Sequence, residues 1–404
     1  MRTFLPVVAA LWLTTAAVFG QRLAVYDPIA STMLELQPPT ALLPGPNPPA
    51  AVYPTAPILP PPPILFPMPG DSTFDNVVGL HWYTDGATLA AMPTPSLAPL
   101  GPVPPPIPIP APILGMIGGP VTGIALDPIG LPATGPIMYL CSIPGVVVGV
   151  APAPGLPILV PPFPLPFPGA PVAGLEWDGA TGSLWAVDIG FFLHNFLPGG
   201  VPLGPPMLPL GPVPGPPGDL AIDKLGTLNP AGLRPLYIAG GGLIVDAMDP
   251  AGAPFPSGPP GEGVAFVNHP AEIPPLPGCE GCPGISTGPT AFVTSVMSTG
   301  NGAFSVGSGG HIPGAGFVVF AFDAVTAPAP FPTTPSCPLG LTLSATLVLA
   351  LGGPADAAGN IFLPLSLAAV PVGIFLHNQN FVFCSSLPGG FAFSRFQTIT
   401  VGGF

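Results

Sequence analysis

The stretch VAGLEWDGATGSLWAVD, residues 172–188, decides the fold. VAGLEW alternates apolar positions with small or polar ones, DGATG supplies a turn, and SLWAVD alternates again. That is two short strands joined by a tight connection. The Asp-Gly and Thr-Gly steps suit the positive φ that such a turn needs. The stretch recurs, in worn form, along most of the chain. Leading strands read VVGLHWY (77–83), VTGIALD (121–127), GDLAID (218–223) and EGVAFVN (262–268). Second strands follow as TLAAM (88–92), IMYLCS (137–142), PLYIAG (235–240) and AFVTSV (291–296). Third strands follow in several, as GVVVGVA (145–151), FFLHNF (191–196) and LIVDAMD (243–249).

The copies are spaced by roughly 44 to 51 residues, the range of propeller blades. A three- or four-stranded meander cannot bury both its faces alone, and packing against neighbouring copies supplies the missing cover. An all-β fold follows, with a β-propeller over 21–300. Arg22 to Leu36 resembles the second half of the repeat: LAVYD matches LWAVD, and its first strand is missing. A ring of blades that closes by building one blade from both chain ends leaves such a truncated copy. Five internal copies and the split one suggest six blades, with five and seven left open.

Composition agrees with strands cut by turns. Hydrophobic residues are 48% but charged residues only 6%, about a quarter of the usual charged share. Pro 72 and Gly 55 leave little room for uninterrupted helical turns. The apolar content is too high for ordinary disorder. Pro-rich tracts recur between the repeats, at 38–70, 93–120, 152–171 and 198–217. Their regular placement marks blade-to-blade connections or edge strands, where Pro loses no inward hydrogen bond. The formal net charge is −13, and the five basic residues are isolated. No basic stripe exists for nucleic acid or for an anionic membrane surface.

Met1 to Gly20 reads as a secretory signal peptide, with Arg2 as the basic region, Phe4 to Phe19 as the apolar core and a cut before Gln21. The alternative is an uncleaved membrane anchor, against which Pro6 and the short apolar run count. Removal leaves no transmembrane segment, so the expected location is secreted or at the cell surface. The apolar run Leu339 to Gly352 is too short to span a bilayer.

The pattern V-x-G-L-x-[WF]-D, a Gly-rich turn, then L-[WY]-[AVI]-x-D, resembles NHL-like or lactonase-like β-propeller repeats of secreted bacterial proteins. The resemblance covers about Arg22 to Gly300, and the fifth copy departs from it at Val267 and Asn268. From Asn301 the period stops. GFVVFAFDAV (316–325), CPLGLTLSATLVLAL (337–351), AAGNIFLPLSL (357–367), GIFLHNQNFVF (373–383) and FSRFQTITVG (393–402) read as strands. They resemble a small C-terminal β-sandwich that follows repeat domains in secreted bacterial proteins, over 301–404. Ser385 to Gly390 stands where typical copies carry an aspartate-rich loop. That family implies an accessory module.

Carboxylates carry the enzyme alternative. Asp127, Asp178 and Asp223 end leading strands, and Glu176 lies inside one. The lactonase-like resemblance implies a divalent cation held by carboxylates at the axis. A ring of oxygens there suits calcium, which takes about six to eight ligands. The bland reading is that an Asp before a Gly turn bonds its own turn. Glu176 escapes it, because the matching positions hold His81, Ala125, Ala221 and Ala265. Glu176, His81 and Asp127 are thus the candidate channel residues. No HExxH, Walker loop or nucleophile elbow is present.

Five cysteines in an exported chain predict disulfides. Cys337 and Cys384 are expected to pair in the sandwich. Cys279 and Cys282, in GCEGCPG, read as a loop-stapling disulfide, with a redox motif or half a zinc site as alternatives. Cys141 reads as a buried thiol. The expected function is a secreted, non-catalytic propeller that binds a protein or polysaccharide ligand or assembles at the cell surface or in the extracellular matrix. The alternatives are a metal-assisted lactonase-like hydrolase and a structural envelope component. No cofactor is expected for the first reading.

Overall fold

Short apolar runs cut by Pro and Gly become strands throughout the computed structural model, which carries one short helix among the described residues. The structure describes 21–27, 32–36, 51–54, 71–93, 103–131, 135–166, 171–211, 217–224, 229, 233–257, 263–268, 271–272, 290–293, 297, 301–302, 304–311, 313–314, 318–323, 347–383, 391–394 and 397–402. The signal-peptide expectation over 1–20 and Cys279, Cys282, Cys337 and Cys384 lie outside the described residues. No helix of the described residues is long and apolar enough to cross a membrane.

Two compact units form, Arg22–Asn268 and His269–Gly402. The first holds five four-stranded sheets. Strands β1 (Gln21–Asp27), β2 (Thr32–Leu36) and β3 (Ala51–Pro54) belong to one of them. The second sheet is β4 (Asp71–Asp75), β5 (Leu80–Thr84), β6 (Thr88–Pro93) and β7 (Ile107–Pro108). The third is β8 (Val121–Leu131), β9 (Gly135–Ser142), β10 (Val146–Val150) and β11 (Ile158–Pro164). The fourth is β12 (Val172–Asp178), β13 (Ser183–Asp188), β14 (Leu193–Leu197) and β15 (Val201–Pro202). The fifth is β16 (Pro217–Ile222), β17 (Leu236–Gly240), β18 (Leu243–Asp246) and β19 (Phe255–Pro256). The leading strand β20 (Gly263–Asn268) has no sheet of its own: it completes the first one, in the order β20-β1-β2-β3.

The hairpin at 172–188 forms as read, with Glu176 opposite Trp185 and Asp178 opposite Ser183. Three other expectations change. The fifth leading strand and the truncated N-terminal copy are two parts of one sheet, so counting both gave six where the described residues form five. In the second sheet the leading strand is DSTFD (71–75), and LHWYT is its second strand. DNVVG is the turn there, equivalent to DGATG, and a short polar strand behind a Pro-rich tract carried too little apolar signal. Finally, AFVTSV supplies β22 (Thr290–Val293) of the second unit and does not partner β20.

Consecutive sheets pack face to face, which is why the strands are apolar on both sides. Leu80, Trp82 and Leu89 of the second sheet meet Ile124, Leu126, Met138 and Leu140 of the third. Ala125, Tyr139 and Cys141 on the other face of the third meet Leu175, Trp177 and Leu184 of the fourth. Val187 and Leu193 meet Leu220, Ile222 and Ile238. Ala221, Tyr237 and Ala239 meet Leu23, Val25, Leu34 and Val264 of the composite sheet. Tyr26 of that sheet meets Tyr83 of the second, ring centroids 4.7 Å apart. The leading strands touch in the same sequence: β4 against β8, β8 against β12, β12 against β16, β16 against β20, and β20 against β4.

The fourth strands carry the prolines, as in ILVPPFP of β11, and sit at the sheet edge where a missing N–H does no harm. One Pro tract hides an element the sequence did not announce: helix α1 (Ala111–Ile117). Pro falls in its first turn, where it is tolerated, and Gly118 ends it at φ 88°. Ile113 and Ile117 bury its inner side against the second and third sheets.

The second unit adds β21 (Ala271–Glu272), β22, β23 (Ser305–Gly309), β24 (Val318–Asp323), β25 (Val348–Leu351), β26 (Ile361–Pro364), β27 (Phe375–Phe383), β28 (Phe391–Phe393) and β29 (Gln397–Thr400). They form a six-stranded sheet, β21-β29-β27-β24-β25 with β28 on β27, and a three-stranded sheet, β22-β23-β26. Asn380 donates to the Gly307 carbonyl at 3.2 Å, and Gln397 to the Ala291 carbonyl at 3.0 Å, joining the two. Since β21 and β22 belong here, this unit begins before the boundary at 300 expected from the loss of period.

Candidate functional site

The leading strands align by the residue that ends each of them. Two positions before the terminal Asp stand Thr73, Ala125, Glu176 and Ala221; four before it stand Asp71, Gly123, Gly174 and Asp219. Gly263 holds the equivalent place in β20. Glycine is required where neighbouring leading strands approach. A Cβ on Gly123 would lie 3.1 Å from the Leu175 nitrogen, and one on Gly174 2.6 Å from the Asp219 Cα. At the other two places the side chain is a carboxyl, fully buried.

The Asp71 and Asp219 carboxyls lie side by side, sharing the Ser72 N–H at 2.6 and 3.4 Å. Asp71 accepts from the Ser72 N–H at 2.6 Å and from the Ile124 N–H of β8. Asp219 accepts from the Leu220 N–H at 2.6 Å, from the Val264 N–H of β20 at 2.6 Å and from the Ser72 N–H at 3.4 Å. These amides belong to leading strands whose free side has no further strand to pair with. The carboxyls therefore join strands β8, β4, β16 and β20. Burial pushes Asp71 up to about 8, with Glu176 adding to the rise. Asp219 is raised well above its usual value by burial and then by the neighbouring Asp71. Two carboxyls this close do not both ionise, so the pair keeps a proton at neutral pH.

Glu176 is fully buried on β12. Its Oε1 lies 3.0 Å from Lys224 Nζ and accepts from the Trp177 N–H at 3.0 Å and from Thr73 at 3.4 Å. Its Oε2 has no partner among the described residues. Burial raises the Glu176 carboxyl, and Lys224 pulls it back down. Lys224 itself is only 1% exposed, so the pair is an interior ion pair.

The other sequence candidates lie elsewhere. His81 is on β5, a second strand, and faces Phe74 with ring centroids 6.1 Å apart. Its expected place on a leading strand is corrected by the phase of that repeat. Both its ring nitrogens lack partners among the described residues, and burial lowers its pKa to about 3. Asp127 accepts from the Ile129 and Gly130 N–H groups at 3.2 and 3.0 Å, within its own turn. Asp178 does likewise with Ala180 at 3.0 Å and takes Arg234 Nη1 at 2.6 Å. No three His, Cys, Asp or Glu side chains among the described residues are grouped to hold a metal ion. Glu176, His81 and Asp127 thus do not fit the cation that the lactonase-like resemblance implies.

Asp71, Asp219, Thr73 and Lys224 were not singled out from sequence. Asp219 was visible in GDLAID, in the column that holds Gly in GIALD and GLEWD. Lys224 was one of five basic residues in the chain, which is itself a signal. Asp71 and Thr73 were hidden by the repeat phase.

No protein-family model matches the chain, and no curated protein matches it. Solved structures do, at low similarity. One is KlHsv2 with loop 6CD replaced by a Gly-Ser linker, at 13% identity and TM-score 0.29, covering 56% of this chain and 61% of that one. Another is hydrazine synthase of Kuenenia stuttgartiensis, at 10% identity and TM-score 0.28, over 79% of this chain and 78% of that one. A third is a functionally unknown protein from Desulfotomaculum acetoxidans, at 10% identity and TM-score 0.29, over 95% and 97%. At such TM-scores these likenesses carry no argument about this chain.

Proposed function

We propose that the five sheets are the blades of a closed β-propeller, shut by a blade built from both ends of the repeat region, and that the second unit is a β-sandwich. The protein is exported and works without catalysis, by binding a protein or polysaccharide or by assembling at the cell surface or in the extracellular matrix. Support for the architecture is the packing of each sheet on the next, together with the composite order β20-β1-β2-β3.

The observation that carries the binding reading is an apolar strip on the outer edge of the fourth sheet. Val201, Leu203, Leu208 and Leu210 are exposed there. The strip is not loose. Leu193 and Met207 exchange backbone hydrogen bonds at 2.7 and 3.0 Å, Leu203 donates to Asn195 at 2.9 Å, and Leu210 to Ala247 at 2.8 Å. Its backbone is satisfied while its side chains face outward, and no charged residue occurs between Asp188 and Asp219. Ordered apolar surface of this kind marks an interaction site. The hydrolase alternative needs Glu176 for a metal, and its Oε1 is already held by Lys224.

The test is the double variant Leu203→Asp/Leu208→Asp of the mature protein, followed by fractionation into envelope and medium. Retention on the envelope should fall with an unchanged circular dichroism spectrum. Equal retention of the folded variant would overturn the reading.

A further inference from the structure

We propose that the Asp71–Asp219 carboxyl pair is a proton-operated latch on β20, the strand that completes the composite sheet. This rests on the closed-propeller reading above, and it adds a regulatory device to it.

The geometry places both members beside the same strand. β4, which carries Asp71, and β16, which carries Asp219, are the two leading strands that touch β20. Asp219 Oδ2 accepts from the Val264 N–H of β20 at 2.6 Å and reaches the Ser72 N–H of β4 at 3.4 Å. The Ser72 N–H, which Asp71 also accepts at 2.6 Å, brings the two carboxyls together and ties β16 to β4. Gly263, next to Val264, leaves no spare room: a Cβ there would lie 2.8 Å from Ser72 Oγ. Any parting of the two carboxyls therefore moves β20 as well.

One proton holds the pair. With it, one carboxyl donates an O–H to the other. Without it, two carboxylates face each other in a site fully shielded from water, and repulsion acts on the contact that clasps β20. The surroundings give no relief. Glu176 of β12 adds negative charge towards Asp71, and Cys141 of β9 is a thiol raised well above its ordinary value by burial and then by Asp71. Lys224, following β16, is spent on Glu176 and is also felt by Asp75 of β4. His81 of β5 stays neutral in its apolar site. The described side chains of β20 that adjoin the pair, Val264 and Ala265, carry no charge.

The sign follows from linkage. The pair binds its proton in the closed form far more tightly than a free Asp, whose ordinary value is 3.8. Opening therefore releases a proton between the open-form and closed-form values. The opening constant should rise with pH through neutrality, by up to about tenfold per pH unit for one proton, and level off once the closed pair has lost it.

Hydrogen exchange of the Val264 amide in the full chain reads this opening, after correction for intrinsic exchange. The expected result is a rise of up to about tenfold per pH unit that flattens at the alkaline end. It should disappear in Asp71→Asn/Asp219→Asn, which has no carboxyl at either place to lose a proton. If that variant does not fold, the wild-type profile still decides. A Val264 opening constant independent of pH would overturn the latch, as would an unchanged slope in folded Asp71→Asn/Asp219→Asn. Absence of any pairing between β20 and β1 would instead overturn the propeller reading.

Discussion

Lys224 is where single side chains matter most. It is buried against Glu176, and removing one member of an interior ion pair leaves an uncompensated charge. Lys224→Met should cost about 3–5 kcal/mol in urea unfolding, whereas Glu176→Gln/Lys224→Met should recover most of it. Similar losses in the single and double variants would mean that Lys224 acts through packing alone. Gly174 makes the second residue-scale test. An Ala there meets the Asp219 backbone, and overpacking of this kind costs about 1–3 kcal/mol. Gly353→Ala, with nothing within 4 Å of its added carbon, is the matched control and should be near neutral.

The repeated Asp-turn is the element on which sequence reading succeeded. Asp127 and Asp178 bond their own turns, as an Asp before a Gly step does. Asp127→Ala should cost about 1 kcal/mol, the worth of ordinary hydrogen bonds at a partly exposed site. Asp178→Ala should cost about twice that, because Arg234 loses a charged partner as well. Equal losses in thermal unfolding would show that the Arg234 contact contributes nothing. The same motif also misled. DNVVG copies the spacing of DGATG, yet the strand before it, DSTFD, has Phe74 as its one large apolar residue. Hydrophobic periodicity cannot find such a strand; its burial comes wholly from neighbouring sheets. Helix α1 escaped for a related reason, since a seven-residue helix begun by Pro and ended by Gly has no room to show a period.

At the scale of the whole molecule, the all-β class was legible because Pro, Gly and alternating apolar residues all point one way. The candidate site was only half legible. Glu176 stood out as a carboxylate in an Ala column, but its partners come from strands far apart in sequence. Burial of so many acids has a global consequence. Asp71, Asp75, Glu176, Asp219 and Asp246 are all raised, chiefly by desolvation. Each then stabilises the fold below its unfolded value, and that contribution is lost as pH rises through its folded value. His81, His311 and His377 are lowered by burial and act oppositely, but only below about pH 6.5, where the unfolded chain protonates them. Urea midpoints should therefore fall between pH 6.5 and pH 8, a range set by the acids alone. A rising midpoint there would contradict the buried protonated pair.

The central claim is that residues near the start of the chain and residues near 265 share one sheet. Backbone amide NOEs in perdeuterated protein test it directly. Cross-strand contacts are expected between residues 23–26 and 263–268, alongside those from 23–27 to 32–36. Contacts from β1 to β2 with none from β1 to β20 would contradict it.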